Sequence, residues 1–216
     1  MLDKIINQTK NAVVAVIKGC EDILTTLTGS VRNVIVSALK DTGDVAGATV
    51  ETTATVTKGA VQAVGGTAAE TIAATAGVTN SAVKGVVDVG GNLLEGAQGI
   101  VSGAVNAAVE AGGDVGQAGV AAVTGAISAA GEVGGDVIQV TSGAVVGAVH
   151  GIGDITDKSV GTVGDIAQGA IKAVAGTTTS AVHAAGDITG SAVKSVAELG
   201  GDAAAGAQHA VSGVVT

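Results

Sequence analysis

The residues able to move protons, attack a carbonyl or hold a metal are few in this chain. There are three histidines, His150, His183 and His209, and one cysteine, Cys20, together with 10 basic and 19 acidic residues. Phenolic and indole groups are missing altogether, because the chain has no Tyr, Trp or Phe. His150 and His183 lie 33 residues apart, about 50 Å along a single helix, so they cannot share an ion on one helix. They read as solvated surface histidines, with metal bridging between neighbouring chains as the alternative. A lone cysteine forms no intramolecular disulfide, and Cys20, inside an apolar stripe, reads as a small buried hydrophobe. No nucleophile–base pairing, CxxC, HExxH or Walker-type loop is present. The sequence therefore offers no catalytic residue, no cofactor-binding residue and no metal site, and a non-enzymatic role is expected.

The charged residues are informative through their placement. Cut from Met1 every 11 residues, the chain falls into nineteen units plus seven residues with no insertion, such as VTNSAVKGVVD (78–88), IAQGAIKAVAG (166–176) and ITGSAVKSVAE (188–198). Unit positions 1 and 6 are mostly Val, Ile or Leu, position 5 is mostly Ala, position 7 often carries Lys and position 11 Asp or Glu. No charged residue falls at positions 1, 2, 5, 6 or 9. Apolar steps of four, four and three are helical, whereas a strand alternates every second residue. Eleven residues in three turns drift in a right-handed sense relative to a relaxed helix. On a helical wheel, positions 8, 1, 5, 9, 2 and 6 form an apolar arc of about half the circumference, wider than the seam of a two-stranded coiled coil.

Composition says what these helices need. Gly is 36 of 216 residues, Pro is absent, and charged residues are 13%. Mean hydropathy is +0.57, too apolar for a disordered tail. Each interior glycine costs about 1 kcal/mol relative to alanine in a helix, so order must come from packing. The spacing predicts an all-α protein: one long amphipathic helix or a few long helices with an 11/3 period, packed in a multi-helix assembly. A continuous helix would run about 320 Å. The expected assembly face is Val78, Ala82, Val83, Val86, Ile100, Ala104, Val105, Ala126, Ile127, Ala148, Val149, Ile166, Ala170, Ile171, Ile188, Ala192 and Val193.

Paired glycines interrupt the array at Gly90-Gly91, Gly112-Gly113, Gly134-Gly135 and Gly200-Gly201, followed by Asn92, Asp114, Asp136 and Asp202. They are either close-contact points on a continuous helix or turns between 22-residue segments, since Gly-Gly-Asp can end one helix and cap the next. The unbroken register favours the continuous helix. GxxxG spacings are numerous, as 36 glycines would produce in any case. Lys84/Asp88, Lys18/Asp22, Lys40/Asp44 and Lys194/Glu198 read as i,i+4 ion pairs. Glu110/Asp114 and Glu132/Asp136 are like-charge pairs that read as solvated, with attraction of basic groups from neighbouring chains as the alternative. Residues 1–44 are richer in Ile, Leu and Lys than the Gly/Ala/Val array of 45–216, and read as a better helix-forming end of the same array, with a docking or nucleation segment as the alternative.

The runs TKGAVQAVGGTAAET (57–71) and SAVKGVVDVGG (81–91) resemble the 11-residue amphipathic repeats of synucleins and repeat-bearing perilipins. That resemblance implies a helix that forms on lipid. The period also resembles that of right-handed hendecad coiled coils, which implies bundles, stalks or filaments. The polar face here is acidic, with a net charge of −9, unlike the Lys-rich lipid-binding repeats. Nucleic acid is not an expected partner, since phosphate contacts need clustered basic residues. Two functions follow. The first is a structural protein whose partner is itself, joined through the apolar face into a bundle, tube or filament. The alternative is a coat on a lipid droplet, storage granule or membrane surface. With neither signal peptide nor membrane span evident, a cytoplasmic location is expected.

Overall fold

In the computed structural model, residues 29–40, 49–63, 68–153, 157–176, 181–198 and 208 are described, and they are helical with short turns. Helix α1 spans 29–40. It is followed by α2 (Thr49–Ala63), α3 (Ala68–Asp88), α4 (Leu93–Glu110), α5 (Val115–Glu132), α6 (Val137–Ile152), α7 (Asp157–Ala175) and α8 (Ala181–Glu198). The longest of these helices has 21 residues. The expected continuous helix is thus corrected: the described chain breaks and reverses repeatedly, and its helices pack on one another.

The breaks lie at the paired glycines. Gly90, Gly112 and Gly134 have φ of 70°, 78° and 68°, a region that L side chains rarely adopt. The next glycine in each pair then donates its N–H back to the ending helix: Gly91 to the Val86 carbonyl, Gly113 to Ala108 and Gly135 to Ala130, at 2.9, 2.8 and 2.9 Å. This is the Schellman arrangement, which satisfies carbonyls that a helix end leaves unpaired. One residue later the following helix is capped. Asn92 Oδ1 accepts from the Leu94 N–H at 3.0 Å, Asp114 Oδ1 from Gln117 at 2.8 Å and Asp136 Oδ1 from Gln139 at 3.0 Å. Glycine stop and Asx start fit into four residues, so each turn replaces a helical turn without adding residues. That is why the register runs unbroken through a chain that reverses direction. Gly200 and Gly201 lie outside the described residues.

Helices pack most extensively on those two places away in sequence: α2 on α4, α4 on α6, α3 on α5 and α5 on α7. Consecutive helices also touch. The result is two layers, one of even-numbered and one of odd-numbered helices, with a single apolar core running between them. Even-layer helices begin at Thr49, Leu93, Val137 and Ala181, each 44 residues after the last. The core contains no aromatic ring. Its largest fully buried side chains are Ile35, Leu39, Ile100, Ile127, Ile166 and Ile188. Such small side chains fill a core only if the helices lie very close together.

Candidate assembly surfaces

The close approach is made by glycine. An ideal Cβ on Gly143 would lie 2.2 Å from the Leu94 carbonyl oxygen, on Gly147 2.2 Å from that of Gln98, and on Gly151 2.8 Å from that of Ser102. In the α2–α4 pair, an added Cβ would run into the Val50 carbonyl at Gly99 and the Ala54 carbonyl at Gly103; in the odd layer, one at Gly125 would run into the Ala76 carbonyl. No side chain fits there, so only glycine lets the neighbouring backbone lie against the helix, where Cα–H groups can face carbonyl oxygens. Each of these glycines follows the residue it meets by 49 positions, so layer neighbours run parallel in one fixed register. α8 departs from the pattern. At the counterparts of Gly143, Gly147 and Gly151 it carries Asp187, Ser191 and Ser195.

A row of ion pairs also joins helices two places apart. Glu110 on α4 accepts from Lys58 Nζ and Gln62 Nε2 of α2, both at 2.7 Å. Twenty-two residues on, Glu132 of α5 accepts from Lys84 Nζ at 2.6 Å and Asn80 Nδ2 at 3.3 Å, both from α3. Arg32 of α1 holds Asp88 through two nitrogens, with Nη2 to Oδ1 at 2.8 Å. Two sequence expectations are corrected by these contacts. Lys84 and Asp88 pair with other helices rather than with each other, because the parallel neighbour presents a partner nearer than the next turn. The acids Glu110 and Glu132 are not simply solvated, since each takes a basic group from this same chain. Lys194 and Glu198 do pair at i,i+4, at 3.8 Å. The hydrogen bond from Arg32 holds the Asp88 carboxyl below its ordinary range, and that from Lys84 does the same for Glu132.

Of the expected assembly face, Val78, Ala82, Val83, Val86, Ile100, Ala104, Val105, Ala126, Ile127, Ala148, Val149, Ile166, Ala170, Ile188 and Ala192 are buried. Ile171 and Val193 are partly buried against the same cluster. Copies of the chain were the expected neighbours for this face; in the structure the face packs within a single chain. The glycine contacts were missed. Their signal is a column of Gly103, Gly125, Gly147 and Gly169 at 22-residue steps. At an 11-residue period it alternates with the capping residues Asn92, Asp114 and Asp136 and so reads as part of the polar face.

His150 lies on α6 with Nδ1 2.9 Å from the Val146 carbonyl; the His183 side chain, His209 and Cys20 lie outside the described part. Among the described residues no group of three or more His, Cys, Asp or Glu is arranged to hold a metal. No described helix is long and apolar enough to cross a membrane. A groove beside α5 and α7 is shallow and lined by Asp114, Gly116, Gln117, Val120, Ala121 and Asp165. The Asp114 carboxylate there is already engaged as a helix cap.

Among the described residues, no further helix lies beyond either end of the even layer. Leu94, Gln98 and Ser102 offer carbonyls to the next helix; their counterparts 88 residues on in α8 include Gly186 and Gly190. Both glycines are exposed, with nothing within 4 Å of an added Cβ. At the other end, Gly59 of α2 is the counterpart of Gly103 and Gly147, and it too meets nothing within 4 Å. No known family model matches the chain. A comparison with curated proteins returns no significant match.

Proposed function

We propose that this chain is a non-enzymatic structural protein that self-assembles, copies adding end to end along the axis of the helical layers into a filament or closed tube. The 11-residue columns are then half-units of a 22-residue helix-and-turn repeat. In one half, a capped turn starts the helix; in the other, a glycine seats it on its layer neighbour. A helix array stacked by one repeated step has no intrinsic end, and repeat proteins of this kind need a polar capping repeat to stay solitary. The observation that carries the reading is the far side of α8, where Gly186 and Gly190 stand bare at the positions that receive a further helix elsewhere in the layer. A contact of that type repeated head to tail is heterologous and propagates. It uses new surface, because the apolar columns are taken up in the chain's own core. That burial supports assembly over a lipid coat, which would require a wide exposed apolar face.

Sedimentation velocity over a dilution series tests this, with negative-stain electron microscopy of the heaviest fraction. The weight-average mass is expected to rise from the 20.1 kDa monomer with concentration and without lipid, and the particles are expected to be rods or rings of uniform width. A 20.1 kDa species at every concentration overturns the reading, as does helix that appears only with a lipid emulsion.

A further inference from the structure

We infer that the helix received at α8 is α2 of a second copy, laid parallel with Gly59 over the Gly186 carbonyl, so that the even layer of one copy runs on into that of the next. This rests on the assembly reading and names the partner face and its register. Within the chain, a layer joint has two halves. The carbonyl half lies on the earlier helix. On α4, Ala97, Val101 and Val105 are buried, beside the Gln98 and Ser102 carbonyls on which α6 rests. The glycine half lies on the later helix: Gly143, Gly147 and Gly151 on α6, and Gly99, Gly103 and Ala107 on α4, all buried.

Among the described residues, each end of the even layer presents one half without the other. On α8, 88 residues after the α4 set, Ala185, Thr189 and Val193 are partly exposed beside the bare Gly186 and Gly190. On α2, 44 residues before the α4 set, Thr55, Gly59 and Ala63 are exposed, and an added Cβ on Gly59 meets nothing within 4 Å. One molecule thus displays both halves of its own joint at opposite ends, as a contact repeated head to tail requires. A two-fold α8–α8 contact would instead set two carbonyl halves against each other. The residues of both faces are uncharged, and Lys58 of α2 and Lys194 of α8 already have acidic partners in Glu110 and Glu198, so the faces meet without burying an unpaired ion. Thr55 and Ala63 stand where α6 has Gly143 and Gly151, which makes the seat closest at Gly59. Side chains in that column do not prevent a joint, since α8 packs on α6 with Asp187, Ser191 and Ser195 there.

Two end-blocked variants of the full chain test this. Gly59→Leu fills the glycine half and Gly186→Leu/Gly190→Leu the carbonyl half, each at open space, so both should keep the helical circular dichroism of the unmodified protein. Each alone should sediment as the 20.1 kDa monomer. Mixed in equal amounts they should pair and stop at twice that mass, because each retains the half that the other lacks. Register is read separately, by disulfide formation in a Cys20→Ser background. An added Cβ on Gly151 lies 2.9 Å from the Val105 Cβ, close enough for a disulfide, and the counterparts of these two residues are Ala63 and Val193. Ala63→Cys mixed with Val193→Cys should crosslink at least about tenfold faster than Ala63→Cys mixed with Ala185→Cys, which stands about 12 Å out of register along the helix. Growth of Gly59→Leu equal to that of the unmodified chain overturns the proposal and leaves assembly standing. So does a mixture of blocked variants that stays monomeric, or coupling of Val193→Cys with itself that outpaces its coupling with Ala63→Cys, which assigns the contact to two like ends. An unmodified chain that stays monomeric overturns the assembly reading, and this proposal with it.

Discussion

Replacing Gly147 by alanine adds one methyl group to α6 at the point where α6 rests on α4. By helix propensity alone the change stabilises the protein by about 1 kcal/mol. The structure opposes it. The new Cβ would stand 2.2 Å from the Gln98 carbonyl oxygen and 2.9 Å from the carbonyl carbon. An ordinary carbon–oxygen contact needs about 1 Å more, and both atoms belong to backbone that cannot rotate away. The helices must separate, loosening a seam also held by Gly143 and Gly151 and the fully buried Val101, Ala104, Ala144 and Ala148. Overpacking of this kind costs about 1–3 kcal/mol, more where backbone must move. The net expectation is a loss of about 1–2 kcal/mol, or roughly 2–8 °C in melting midpoint for a chain of this size. Gly161→Ala makes the identical chemical change in the interior of α7, where nothing lies within 4 Å. It should raise the midpoint by roughly 2–4 °C. Thermal and urea melts followed by circular dichroism read both. If Gly147→Ala stabilises as Gly161→Ala does, the glycine-seated packing described here is wrong.

Other substitutions probe the remaining parts of the account. Thr57 and Thr79 each bury a hydroxyl oxygen that makes no hydrogen bond, in a column that later carries Val101, Val123 and Val145; Thr57→Val or Thr79→Val should stabilise by about 1 kcal/mol in a urea melt. Asp136→Ala removes the acceptor for the Gln139 N–H and should cost about 1 kcal/mol by the same measurement. Glu132 titrates below its ordinary value because of the hydrogen bond from Lys84. Its contribution is therefore present above the unfolded carboxyl pKa and is lost as pH falls through the lower folded value. Lys84→Met should flatten the acid limb of a midpoint-against-pH curve, by a few tenths of a kcal/mol because the pair is largely exposed.

Much of this fold is legible in the sequence. The helical period, the buried columns and the candidate turns can all be read from spacing, and the core residues from Val78 to Ala192 lie within the described core or against it. The breaks are what the spacing conceals. A turn made of a C-capping residue, a left-handed glycine, a second glycine and an Asx cap occupies four residues, so it leaves no gap in an 11-residue count, and continuity of register is not evidence of a continuous helix. A second reason is that glycine has no side chain to reveal its environment. Gly103 and Gly147 share a unit position with Asp114 and Asp136, and only the alternation at 22 residues separates a capping position from a contact with a neighbour's carbonyl. The inter-helix pairs of Lys58 and Lys84 depend on the 49-residue register of parallel layer neighbours, which local spacing does not contain. The local i,i+4 alternative is visible in the sequence and is used in α8, by Lys194 and Glu198.

The central claim is that the array is open at α8 and that the bare glycines there receive another copy. The most direct test compares the sedimenting mass of the unmodified chain with that of a Gly186→Leu/Gly190→Leu double variant over the same concentrations. Both glycines face open space, so leucine should leave the fold and its helical signal intact while blocking the approach of a further backbone. Concentration-dependent growth is expected for the unmodified protein and a 20.1 kDa monomer for the variant. Equal growth of the two, or a monomeric unmodified chain, would contradict it.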